Sequence, residues 1–340
     1  MKISRRRVSV MILAGIVLVL FCATVAGLIY YRKMIRELGE VQEENFQEYP
    51  RLYAYIAEDP DSKLTTKIYK EISEFAKNNG CYVELTGQNL STTFSKTDRF
   101  NMAISSKVDG IILEGDDSEE TIALIDKATA NNIPVVTVLS DCNGSQRKSF
   151  VALDNYKLGQ EYVKTLSNIP QDEAGQEPLK ALVLSDSVKK NYDDVIFSTI
   201  QSAANGRNIE PITNEVDIST PFSSQEDVTD KLDNLEEMPD VIICLNDRTS
   251  ESVYQYILEK NLVGKITVLA YFDSDTIIKA INKGSVYATF AIDAAFVAEK
   301  SVTALNEYND TGFVSDYFGS EYILIDKSNV SSYMPEDKNV

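Results

Sequence analysis

Residues 132–141 read NIPVVTVLSD. A proline stands at the entry, apolar and β-branched residues run unbroken from Val135 to Val138, and polarity returns only at Ser140 and Asp141. A strand with one solvated face alternates, whereas an unbroken apolar row suits a parallel strand covered by helices on both faces. In such sheets, binding groups gather just outside the carboxyl ends of the strands. The stretch therefore predicts an α/β fold and directs attention to Leu139, Ser140 and Asp141.

The same rhythm extends to both sides. LYAYIA (52–57), YVELTG (82–87) and VDGIILEG (108–115) read as strands, separated by helical patterns at 65–80 and 98–107, and SEETIALIDKATANN (118–132) leads into the opening stretch. The helix at 65–80 has apolar positions at Ile68, Ile72, Phe75 and Ala76 and a closing glycine. This is a βαβαβαβ order, which implies a parallel sheet. After SFVALDNYKLG (149–159) the rhythm restarts. Strands are predicted at KALVLSD (180–186), at 212–218, and at DVIICLND (240–247). ITVLAYFD (266–273), SVYATFAID (285–293) and EYILID (321–326) follow, and helices lie between. Two α/β units of similar size are expected.

A different segment precedes them. No charge occurs from Val8 to Tyr31, 24 residues that as a helix would span about 36 Å, enough for a bilayer core of roughly 30 Å. Lys2 and Arg5 to Arg7 precede it, and Arg32, Lys33 and Arg36 follow. The bias favours an inside amino terminus and an outside body. An uncleaved transmembrane anchor is expected over residues 8–31, after a cytoplasmic basic tail (1–7) and before a polar stalk (32–49). It is preferred to a cleaved signal because the apolar run is too long. It is preferred to a lipoprotein signal because bulky Phe21 stands before Cys22. The expected location is the cell membrane, single-pass, with the body extracytoplasmic.

From Glu37 onward the chain holds 26 basic and 52 acidic residues, since seven of the 33 basic residues precede it. So acidic a body argues against nucleic acid and against tight contact with anionic lipid. Histidine is absent, which removes the commonest general base and metal ligand. The four cysteines, at 22, 81, 142 and 244, have no metal-ligand spacing, and those in the body read as small core residues. A Cys81–Cys142 disulfide is the alternative. No cofactor or metal is expected.

Six phrases in order, VDGIILEGDD, NIPVVTV, FVALDNYKLGQEYV, PDVIICLND, ITVLAYFD and INKGSVYATFAID, resemble the type I periplasmic sugar-binding proteins, the ribose- and galactose-binding kind. Their ligand domain is shared with lac-repressor-type regulators. The similarity runs from about 50 to 330. It implies two doubly wound parallel-sheet lobes joined by a three-crossover hinge that closes on a small ligand. The implied crossovers lie near Leu153, Ile292 and Ser320. Lobe one is then 50–153 with 293–320, and lobe two 154–292 with 321–340.

The implied pocket departs from the family's pattern. An acid–arginine pair expected after NIPVVT falls at Leu139 and Ser140, with Asp141 one residue beyond. The aromatic pair of the first loop is replaced near Leu64 and Thr65, the arginine of lobe two falls at Asp193, and the amide expected near a crossover falls at Ile292. Asn246 and Asp273 match; the other reading of each is a helix cap. Asp154 and Asn155, beside Leu153, are expected to stabilise the hinge turn. Lost arginines and an added acid point to a neutral sugar first, with a cationic or amino sugar next. The leading reading is a membrane-tethered solute-binding protein serving a membrane sensor kinase or an ABC permease. The alternatives are a protein-binding module with a decayed pocket and, more remotely, a glycoside-processing enzyme. No G-x-S-x-G elbow, P-loop or zinc signature supports catalysis.

Overall fold

The computed structural model describes residues 48–88, 94–169, 177–187 and 190–335, with positions 24, 25, 27 and 28. The expected tail, all but four residues of the anchor and most of the stalk thus lie outside the described residues. Among the described residues no helix is long and apolar enough to cross a membrane.

The chain from Tyr49 onward is one compact unit built on two six-stranded sheets. The first contains β1 (Arg51–Ile56), β2 (Cys81–Leu85), β3 (Gly110–Leu113), β4 (Val135–Leu139), β5 (Ser149–Leu153) and, from far along the chain, β11 (Tyr317–Ser320). The second contains β6 (Leu179–Asp186), β7 (Ile209–Val216), β8 (Val241–Cys244), β9 (Thr267–Tyr271), β10 (Ala288–Ile292) and β12 (Tyr322–Asp326). The orders are β11-β5-β4-β3-β1-β2 and β12-β10-β9-β8-β6-β7, so the two sheets share one plan. Every pairing is parallel except that of β10 with β12.

Helices α1 (Lys63–Asn78), α2 (Lys96–Ser105), α3 (Glu119–Ala130) and α9 (Ala294–Thr311) cover the first sheet. Helices α4 (Asn155–Leu166), α5 (Lys190–Ala204), α6 (Pro221–Asp233), α7 (Asp247–Glu259) and α8 (Asp275–Lys283) cover the second. The chain passes between the lobes after Leu153, after Ile292 and after Ser320. Two passages are tied side by side. The Asp154 N–H donates to Ser320 O at 3.4 Å, and the Tyr322 hydroxyl donates to Asn155 Oδ1 at 3.0 Å. Asp154 also accepts the Lys157 N–H as the cap of α4.

Local chemistry explains the elements. β4 is buried at all five positions, as an unbroken apolar row requires. Ser62, Ser95 and Ser118 cap α1, α2 and α3, the second through a reciprocal capping box with Asp98. β7 begins at Ile209, three residues before the sequence pattern suggests. It is an edge strand, mostly exposed and interrupted by Pro211, so it lacks the buried row. β11, whose YFGS is short and contains glycine, has no sequence signal and is held by its pairing with β5. Cys81, Cys142 and Cys244 are buried and free, so the alternative Cys81–Cys142 disulfide is absent.

Gly159 lets α4 and α5 approach closely. A Cβ there would lie 2.7 Å from Thr199 Cβ and 3.0 Å from Ile196 O. Gly159→Ala should lower stability to urea by about 1–2 kcal/mol, the overpacking cost less the gain in helix propensity. An unchanged or raised midpoint would show that the two helices can separate freely.

Candidate functional site

In both lobes the parallel strands deliver their carboxyl ends to the cleft between the sheets, the expected ligand position in open α/β sheets. Two equivalent strands end in the same strained way. Leu139, the last residue of β4, has φ +62°, and Phe272, next after β9, has φ +72°. Bulky side chains in this region cost about 1–3 kcal/mol and persist only where packing over-determines them. Both residues are buried, and Ser140 N–H closes a tight turn onto Val138 O at 2.7 Å.

On lobe two, Asn246 follows β8 and Asp273 follows β9, two neighbouring strands. Asn246 Oδ1 accepts the Thr249 N–H at 2.8 Å and so caps α7. Its Nδ2 is buried and meets no acceptor. A buried donor left unpaired is costly, so this amide is a group waiting for an acceptor. Asp273 does not cap α8, because Ser274 does. Instead it receives the Lys67 ammonium, from α1 of the opposite lobe, at 2.7 and 2.5 Å.

Lys67 is one of several cross-cleft ties. Lys63 Nζ meets both Glu251 oxygens at 2.6 and 2.7 Å, and Ser274 Oγ steadies that carboxylate at 2.7 Å. Arg248 is paired with Asp59 and donates to Ile218 O at 2.6 Å. The Asp247 carboxyl, on lobe two, faces the Leu64 N–H at the start of α1 closely enough to be stabilised by it. Burial pushes this carboxyl up, and the Arg248 and Leu64 N–H groups pull it back. The ties border a groove of ≈ 260 Å³ lined by Ser62, Lys63, Gln225, Asp247, Glu251 and Gln255, among others.

Lobe one supports its first loop from below. Arg99, 3% exposed, donates to Ala57 O at 2.7 Å and to Glu58 O at 3.2 Å. Glu114, at the end of β3, accepts the Glu58 N–H at 2.9 Å. Lys96 bridges Glu58 and Asp116, both at 2.7 Å. Burial alone would raise the Asp116 carboxyl, but Lys96 and Ser118 outweigh it and hold it down at about 2.

The other residues singled out in the sequence take these places. Asp141 is gripped within lobe one by Arg147, at 2.5 and 2.8 Å, and by the Thr137 hydroxyl at 2.9 Å. An arginine–acid pair thus exists near this strand end, with Arg147 supplied from six residues on. Ser140 O accepts the Gly115 N–H at 3.1 Å. Asp193 is buried and accepts the Asp186 N–H at 2.6 Å, holding the end of β6. Leu64 packs on the core, Thr65 Oγ1 is bonded to Ser62, and Ile292 is buried in the core at 2% exposure. Lys63, Lys67, Arg99 and Arg248 were not singled out. A signal existed for two of them: Lys63 and Arg248 sit in the first turns of their helices, where a cation opposes the dipole and requires a tertiary partner.

The family model for the periplasmic binding protein domain matches residues 53–311. The chain belongs to that family. Structurally, this periplasmic binding protein domain is similar to GanP, a glucose–galactose binding protein from Geobacillus stearothermophilus. The identity is 20%, the TM-score 0.71, and the match covers 86% of this chain and 100% of GanP. It is also similar to an ABC transporter solute-binding protein from Agrobacterium vitis bound with α-D-tagatopyranose, at 16% identity and TM-score 0.72, covering 84% and 96%. A chain of the XylFII–LytSN complex matches at 19% identity and TM-score 0.70, covering 83% and 100%. No curated protein matches the sequence.

The Asp116 carboxyl is more acidic folded than unfolded. Its contribution to stability is present above the ordinary carboxylate value near 4 and is lost as pH falls towards about 2. Asp116→Asn should flatten the acid limb of the stability–pH curve in that window while leaving its slope near neutrality unchanged. An identical acid limb would show that Lys96 is not holding this carboxylate in solution.

Proposed function

We propose that the chain is a membrane-tethered, extracytoplasmic solute-binding protein that closes on a small sugar-like ligand and reports it to a membrane partner. The observation that carries this reading is the pair of neighbouring strand ends on lobe two. Asn246 offers a buried, unpaired N–H and Asp273 a carboxylate turned towards lobe one. An amide donor beside a carboxylate acceptor suits hydroxyl groups, which both give and take hydrogen bonds. Family membership and the sugar ligands named for similar structures support the ligand class.

The 24-residue uncharged segment supports an anchor, and the four basic residues before it, with the α-amino group, against three after it support an outside body. That a similar chain occurs in complex with LytSN supports a protein partner. A partner fixed in the same membrane, a sensor kinase ahead of an ABC permease, suits an immobile anchor. The role is binding and reporting rather than catalysis. A second reading has one observation in its favour. Lys67 already occupies Asp273, as it would in a body whose cleft had been given up to protein binding.

Thermal unfolding of the full chain in detergent, against pentoses, hexoses, amino sugars and polyamines, separates the two. A solute at a hundred times its Kd should add about 2.7 kcal/mol. Asn246→Asp retains the oxygen that caps α7 but removes the N–H donor, so the shift should vanish while the basal unfolding temperature holds. No shift with any solute would favour the second reading. A shift that survives in Asn246→Asp would move the site elsewhere.

A further inference from the structure

The cleft ties share a geometry that the solute-binding reading does not require. All come from one short segment of lobe one, Asp59 to Lys67, and all reach one face of lobe two, the first two turns of α7 and the end of β9. Three are ion pairs, and in two of them at least one partner is well shielded. The Asp273 side chain is 11% exposed and that of Arg248 13%. Lys67 also lies 5.6 Å above the Phe272 ring centre, directly beside its carboxylate partner. Arg99 and Glu114 hold Ala57 and Glu58, the two residues that lead into this segment, and so fix where the rim begins.

We propose that this rim is an interlobe latch: Lys67 is a built-in occupant of Asp273, and the lobes are drawn closed by their own ion pairs without any solute. Lys67 is then a determinant of specificity. A solute reaches Asp273 only by supplying donors that replace the ammonium, so poor donors leave the latch in place. The latch holds under either reading of function, because it concerns the chain alone. Screening should weaken it, since the Debye length falls from about 10 Å at 0.1 M to 3 Å at 1 M salt.

Spin labels at E119C and F222C report the opening directly. These exposed positions begin α3 and α6, the helices that start at the cleft ends of the two lobes. The full chain carrying C22S, in detergent and without solute, is measured by pulsed electron–electron resonance. One short, narrow distance population is expected at low salt, lengthening and broadening at 1 M salt. Lys67→Glu should move most of the population to longer distances. Lys67→Gln, which removes only the charge, should move part of it. Lys67→Glu with Asp273→Lys, which reverses the pair, should restore the short distance. Identical distributions in the unsubstituted and Lys67→Glu chains would overturn the proposal, as would a Lys67→Glu opening that Asp273→Lys fails to reverse.

Discussion

A strand covered on both faces has no place along its length for an unpaired polar group, and this constraint distributes all of the chemistry of the protein. β3, β4 and β8 are buried at every position, so charged and amide side chains begin only where each strand stops. Because nearly all pairings are parallel, those stops share one edge in each sheet. The chain then crosses between the sheets after Leu153, Ile292 and Ser320, which places the two polar edges against one another. Glu114, Asn246 and Asp273 are the direct products of that arrangement.

The two edges have different characters. Lobe one presents a rim of acids, Glu58, Asp59, Glu114 and Asp116, stiffened by Lys96 and Arg99. Lobe two presents the unpaired amide of Asn246, the Asp273 carboxylate and the Arg248 cation. The pairs across the cleft are partly shielded rather than exposed, so removing one charge loosens closure, while reversing Lys67 sets two carboxylates together and opposes it. Their concentration between one loop and one helix start makes them act together. The strained backbones at Leu139 and Phe272, in equivalent places of the two sheets, mark the same edges from the interior.

Much of this was legible in the sequence, and the rest was illegible for physical reasons. Buried parallel strands announce themselves because burial on both faces leaves an unbroken apolar row, as in Val135 to Leu139. Edge strands carry no such row, which is why β7 begins three residues early and β11 leaves no trace. Strand ends were legible from the order of the elements, and among them the resemblance to the family's pocket pattern singled out Asn246 and Asp273. Their partners could not be named, because Lys67 meets Asp273 across 206 residues of chain and reads locally as a solvated helix lysine. Asp141 looked like a lone acid at a strand end, yet it is paired to Arg147 through a turn that no local pattern predicts.

The central claim is that a small solute is gripped between the lobes at the strand ends. Hydrogen–deuterium exchange on the full chain, with and without a monosaccharide that raises its unfolding temperature, tests this most directly. The account predicts added protection on both lobes at once, in residues 57–67 of lobe one and in 245–251 and 272–273 of lobe two. Protection on a single lobe, or on a surface away from these strand ends, would contradict it.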